Sequence, residues 1–130
     1  MTFADMVDIL HAKVLCGDEL LSHTAATACC SDLMSDVLAF VNEKSVLLTG
    51  LVNPHVIRTA DMLDLKCLIF ARGKTPTEEI LEAAREQGML VMATKETAFT
   101  TAGPLFAAGL RGAPIEWPEA EEQTQPGGLV

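Results

Sequence analysis

With 130 residues and a net charge of −9, the chain holds one hydrophobic core and lacks the clustered Lys and Arg that a nucleic-acid backbone demands. Hydrophobic residues make up 49% of the chain and aromatics only 5%, so Leu, Val, Ile, Met and Ala must fill that core. A composition this apolar in so short a chain leads us to expect some apolar surface covered by a second copy.

The first periodic segment is FADMVDILH, residues 3–11, with Phe3, Met6, Val7 and Leu10 on one helical face. It carries two aspartates and no basic cluster, unlike a secretory leader, so a cytoplasmic location is expected. No apolar run approaches the length of a membrane span. AKVLC then reads as a short strand closed by Gly17-Asp18, and TAATACCS, residues 24–31, as β-tolerant chain. Ser31 or Asp32 is the expected N-cap of a helix over 32–41, with Leu33, Val37, Phe40 and Val41 facing the core.

From residue 45 the pattern becomes regular. SVLLTG is an apolar strand, and 54–65 a helix burying Val56, Ile57, Ala60 and Leu63. KCLIFARG is the next strand, followed by a helix over 77–87 with Thr77 as N-cap and Gly88 as its stop. MLVMATK is the third, followed by a helix over 96–110 that Gly103-Pro104 should interrupt. Wholly apolar strands alternating with helices mean a mainly parallel sheet built from β-α units and covered on its faces. This α/β domain is expected over 1–112. Residues 113–130, rich in Pro, Gly and acid, hold four of the 18 acidic residues and read as a disordered tail.

The four cysteines stand at 16, 29, 30 and 67, with no CxxC. Cluster and structural zinc sites need several thiolates converging on one point. Adjacent cysteines in a strand face opposite ways, so Cys29 and Cys30 are expected in the core and no cofactor or metal is expected. Asp32 and Asp36, four apart, suit the positive end of a helix; the sharper alternative makes them ligands or a subunit contact beside a cleft. His11, His23 and His55 follow no metal spacing. Arg72-Gly73-Lys74-Thr75 resembles the end of a phosphate loop, but position 68 is Leu where that loop needs Gly.

In parallel sheets ligands bind beyond the carboxyl ends of the strands. Those ends are Thr49-Gly50, Arg72-Gly73-Lys74 and Thr94-Lys95, placing three of the 9 basic residues on one edge. They form the candidate site for a small anionic ligand, a nucleotide or phosphorylated metabolite; ordinary polar loops are the alternative.

The ordered set SDLMSDVLAFV, LLTG, IFARGKTP and LVMATKETAF resembles the DRTGG domain family across about residues 3–112. The string DRTGG itself does not occur. That family is similar to the N-terminal domain of HPr kinase/phosphorylase, and its domain occurs inside CBS-domain pyrophosphatases and some phosphate acetyltransferases. The resemblance implies an HPr kinase N-terminal-domain-like fold and a non-catalytic regulatory or dimerisation module, without catalytic residues to carry over. It also raises an alternative, an accessory role in an iron–sulfur or hydrogenase-type redox system.

Overall fold

The computed structural model describes residues 1–41 and 44–114. Five strands form one sheet in the order β1-β5-β4-β3-β2, where β1 is Lys13–Cys16, β2 Thr27–Cys30, β3 Ser45–Thr49, β4 Cys67–Phe70 and β5 Leu90–Ala93. Strands β2 to β5 run parallel, and β1 is antiparallel to β5 on the far edge. The helices are α1 (Phe3–Leu10), α2 (Met34–Phe40), α3 (Pro54–Met62), α4 (Glu78–Glu86) and α5 (Ala98–Ala107). Among the described residues no helix is long and apolar enough to cross a membrane.

The apolar runs are strands because successive residues serve opposite faces, and both faces are covered. Leu47, Leu68, Phe70 and Val91 pack under α2, α3 and α4. Val46, Leu48, Ile69, Leu90 and Met92 pack under α1 and α5. Each fully buried side chain of this size contributes about 1.5–3 kcal/mol by leaving water, so the two-sided core carries most of the stability.

Side-chain caps fix where the helices begin. Thr2 and Asp5 form a reciprocal capping box at α1. Asn53 accepts from the His55 N–H ahead of α3, Thr77 from Ile80 ahead of α4, and Thr97 from Thr100 ahead of α5. Gly88 stops the chain after α4 in the left-handed region, at φ +69°.

Three expectations change. Helix α2 starts at Met34 rather than Asp32: its N-cap, Leu33, has no polar side chain to cap with, the Asp32 carboxylate bonds to Thr49 and Gly50 instead, and Ser31 Oγ accepts from the Leu33 N–H at 3.1 Å. Val37 faces the core as expected, but Leu33 is 58% exposed. Helix α5 runs through Pro104 without a break and ends at Ala107. Thr101 and Leu105, buried on either side of the proline, hold both halves on the sheet. Lastly, β2 is an edge strand, so Cys30 is exposed and Cys29 only half-buried. The expectation for the Phe40 side chain, and that for the tail from residue 115 onward, fall outside the described residues.

Candidate functional site

Strands β3, β4 and β5 each end at one edge of the sheet and lead into a helix. The helices then part company. Those after β3 and β4 pack on one face, and the one after β5 packs on the other. Neighbouring β4 and β5 therefore send the chain to opposite faces, which is the arrangement that opens a crevice beyond the strand ends. A groove of about 550 Å³ lies there, lined by Gly73, Lys74, Thr94, Lys95 and Glu96, with His11 and Lys13 from the antiparallel edge.

Lys13 reaches this edge because β1 runs backwards, which pairs its first residue with Ala93, the last of β5. Lys13, Lys74 and Lys95 are all exposed around the groove. The loop floor is fixed by backbone bonds. Arg72 N–H donates to Glu96 O at 2.7 Å and Gly73 N–H to Thr94 O at 2.9 Å. Thr94 Oγ1 accepts from the Glu96 N–H at 3.2 Å. Arg72 and Gly73 both sit in the left-handed region, at φ +66° and +68°. For Gly73 this costs little, whereas for an arginine it is a strained conformation that the flanking bonds must hold.

The other three expected residues form a separate cluster. Asp32 Oδ1 accepts from the Gly50 N–H at 2.8 Å and from Thr49 Oγ1 at 2.9 Å. The Arg72 side chain turns away from the groove, donates to Gly50 O at 3.0 Å and stands 3.9 Å from Asp32 Oδ2. Thr49, Gly50 and Arg72 do converge on an anion, and that anion is the Asp32 carboxylate. The Gly50 N–H, chiefly, with Thr49, Arg72 and Lys74 acting in the same direction, holds the Asp32 carboxyl below the usual carboxylate range.

The seven expected residues thus divide. Gly73, Lys74, Thr94 and Lys95 line the groove; Thr49, Gly50 and Arg72 surround Asp32. Sequence reasoning missed Lys13, His11 and the part played by Asp32. The signal for Asp32 was its place just past the carboxyl end of β2, itself a parallel strand on the same edge.

Among the described residues, no group of three or more His, Cys, Asp or Glu is placed to hold a metal ion. Cys16 and Cys67 are buried, and burial pushes both thiols up, Cys67 far up.

A family model described as the DRTGG domain matches residues 5–107. A solved structure with the same fold is that of the CBS and DRTGG domains of the regulatory region of Clostridium perfringens pyrophosphatase, complexed with an activator, diadenosine tetraphosphate. It aligns with a TM-score of 0.66 at 20% identity, covering 78% of this chain and 44% of that one. The chain therefore spans less than half the length of that regulatory region. No curated protein sequence matches it.

Proposed function

Because this chain belongs to the DRTGG domain family, we propose that it is a non-catalytic regulatory module of the cytoplasm, which dimerises and senses a nucleotide or phosphorylated metabolite. The observation that carries this reading is the groove between β4 and β5, ringed by Lys13, Lys74 and Lys95 on an otherwise acidic protein. Backbone there approaches a ligand through Gly73, and the lysines supply charge for phosphate oxygens. The pyrophosphatase region's complex with diadenosine tetraphosphate supports a polyphosphate as the first ligand to try.

A sensing role fits how the polar groups at this edge are used. Asp32 accepts from the Gly50 N–H and the Thr49 hydroxyl, Arg72 donates to Gly50 O, and Thr94 accepts from the Glu96 N–H, so these groups brace the loops.

The test is calorimetric titration of diadenosine tetraphosphate, ATP and acetyl phosphate into the wild type and a Lys74→Ala/Lys95→Ala variant. A charge-assisted contact contributes roughly 1.5–3 kcal/mol, so losing both lysines should weaken binding by about a hundredfold or more. Binding should also weaken as salt rises. Absence of wild-type binding at millimolar ligand, or equal binding by both proteins, would remove the reading.

A further inference from the structure

We propose that Asp32 is an internal stand-in for a ligand, occupying an anion cradle in the loops after β3 and β4 that a phosphate group takes by displacing it. This rests on the reading of the strand-end edge as an anion-binding edge, and adds a second, gated anion site to it beside the lysine groove.

The cradle offers a backbone N–H from Gly50, a hydroxyl from Thr49 and a guanidinium from Arg72. A carboxylate and a phosphoryl group are both recognised by such donors, and the phosphoryl group brings more oxygens and more charge. Asp32 fills the cradle imperfectly. Its Oδ1 makes two good bonds, but Oδ2 lies 3.9 Å from Arg72 Nη2, beyond hydrogen-bonding distance. Arg72 keeps further N–H donors beyond the one given to Gly50 O. The Asp32 and Arg72 side chains are 60% and 49% exposed, so a solute reaches both.

The backbone is shaped for this encounter. Arg72 sits at φ +66° with its N–H bonded to Glu96 O on one side, and its side chain reaches Gly50 O in the neighbouring loop after β3 on the other. Gly50 lacks the Cβ that would stand 2.6 Å from Arg72 Nε. Asp32 itself sits in the short link between Cys30 of β2 and Met34 of α2, outside both elements. Displacing it would release that link and the start of α2 without breaking the sheet, so occupancy would be felt at α2.

A site already filled by a tethered anion binds free anions with an affinity reduced by the fraction of time it is open. The experiment measures binding of inorganic phosphate and pyrophosphate to the wild type, Asp32→Asn, Asp32→Ala and Asp32→Ala/Arg72→Ala, with circular dichroism to confirm folding. Asp32→Asn keeps an oxygen acceptor for Gly50 and Thr49 if Asp32→Ala proves unstable. We expect Asp32→Ala to bind about tenfold more tightly, since the competitor is gone, Asp32→Asn to gain less, since only the competing charge is lost, and the added Arg72→Ala change to erase the gain. Pyrophosphate should also speed amide exchange in 34–40 of the wild type. If neither Asp32→Ala nor Asp32→Asn binds more tightly than wild type while binding still depends on Lys74 and Lys95, the gate is wrong and the groove stands. If no protein binds either anion at millimolar concentration, the gate and the anion site both fall.

Discussion

Gly50 lies flat against the Arg72 guanidinium: a Cβ at position 50 would stand 2.6 Å from Nε and closer still to Nη2, while Nη2 itself donates to Gly50 O at 3.0 Å. Two β-α loops are thereby joined by one side chain lying on one bare stretch of backbone.

Gly50→Ala should therefore act through Arg72. The far end of an arginine can move, so the protein folds, but the bond to Gly50 O is lost at a cost of about 1 kcal/mol. In an Arg72→Ala background the same substitution should cost close to nothing. Urea denaturation of the four proteins of this cycle measures the coupling, and additive losses would show that the two residues are independent.

Gly17 is the opposite case. It sits at φ +82°, and an added Cβ would come within 2.5 Å of Leu90 Cα and closer to Met89 O, which are backbone atoms at the start of β5. Backbone in the middle of the sheet cannot move aside. Gly17→Ala should destabilise by about 3 kcal/mol or more through overpacking and strain together. A change in urea midpoint comparable to that of Gly50→Ala would contradict this.

How much of this was legible in advance follows from which interactions are local. Strands β3 to β5 were readable because residues such as Leu47, Leu68 and Ile69 are buried on both faces, which only a covered parallel sheet requires. The cap at Thr77 and the stop at Gly88 are local, so both are legible in the sequence. The direction of β1 was not readable, because the alternation of four residues carries no arrow; with it went Lys13's place at the groove. Nor does a sequence distinguish an edge strand from a central one, which is why Cys30 was expected in the core. Asp32 looked like a helix cap because its partners Thr49 and Gly50 are distant in sequence.

Thiol reactivity should follow the fold. Cys30 is exposed, Cys29 half-buried, and Cys16 and Cys67 buried with their thiols pushed up by desolvation. Native protein should label at Cys30 first and Cys29 more slowly, with the other two protected until unfolding. Partial burial, and then the Asp32 carboxylate, raise the Cys30 thiol, so Asp32→Asn should speed its labelling near neutral pH. Mass spectrometry after timed alkylation reads all four rates. Rapid native labelling of Cys67 would contradict the buried β4.

Acid sensitivity should trace in part to Asp32 and Asp5. The Gly50 N–H, first among several causes, lowers the Asp32 carboxyl, and the Thr2 N–H does the same for Asp5. A carboxyl lowered in the native state binds its proton less readily than in the unfolded chain. Its contribution is complete above the unfolded value of about 3.9 and disappears as pH falls through the native one. Asp32→Asn and Asp5→Asn should lower stability at pH 7 and flatten its decline below about pH 4. Thermal melting from pH 7 to pH 2 checks this; curves parallel to wild type would refute it.

Helix α2 buries Val37 against the sheet and leaves Leu38 44% exposed, its N-cap Leu33 is 58% exposed, and Met62, at the end of neighbouring α3, is 74% exposed. These residues belong to helices on the same side of the sheet, and a helix apolar on two faces packs on two sides. A second copy of the chain is the partner we expect there. Light scattering at micromolar concentration should give about twice the chain mass of 13.9 kDa. Leu33→Glu/Leu38→Glu should return it to the mass of one chain without loss of secondary structure, because neither side chain contributes to the core. Phe99 and Phe106, 89% and 58% exposed and seven residues apart on α5, offer the competing surface on the other side of the sheet. Dissociation by Phe99→Glu/Phe106→Glu but not by the α2 substitutions would move the interface to α5, and a monomer at every concentration would exclude both.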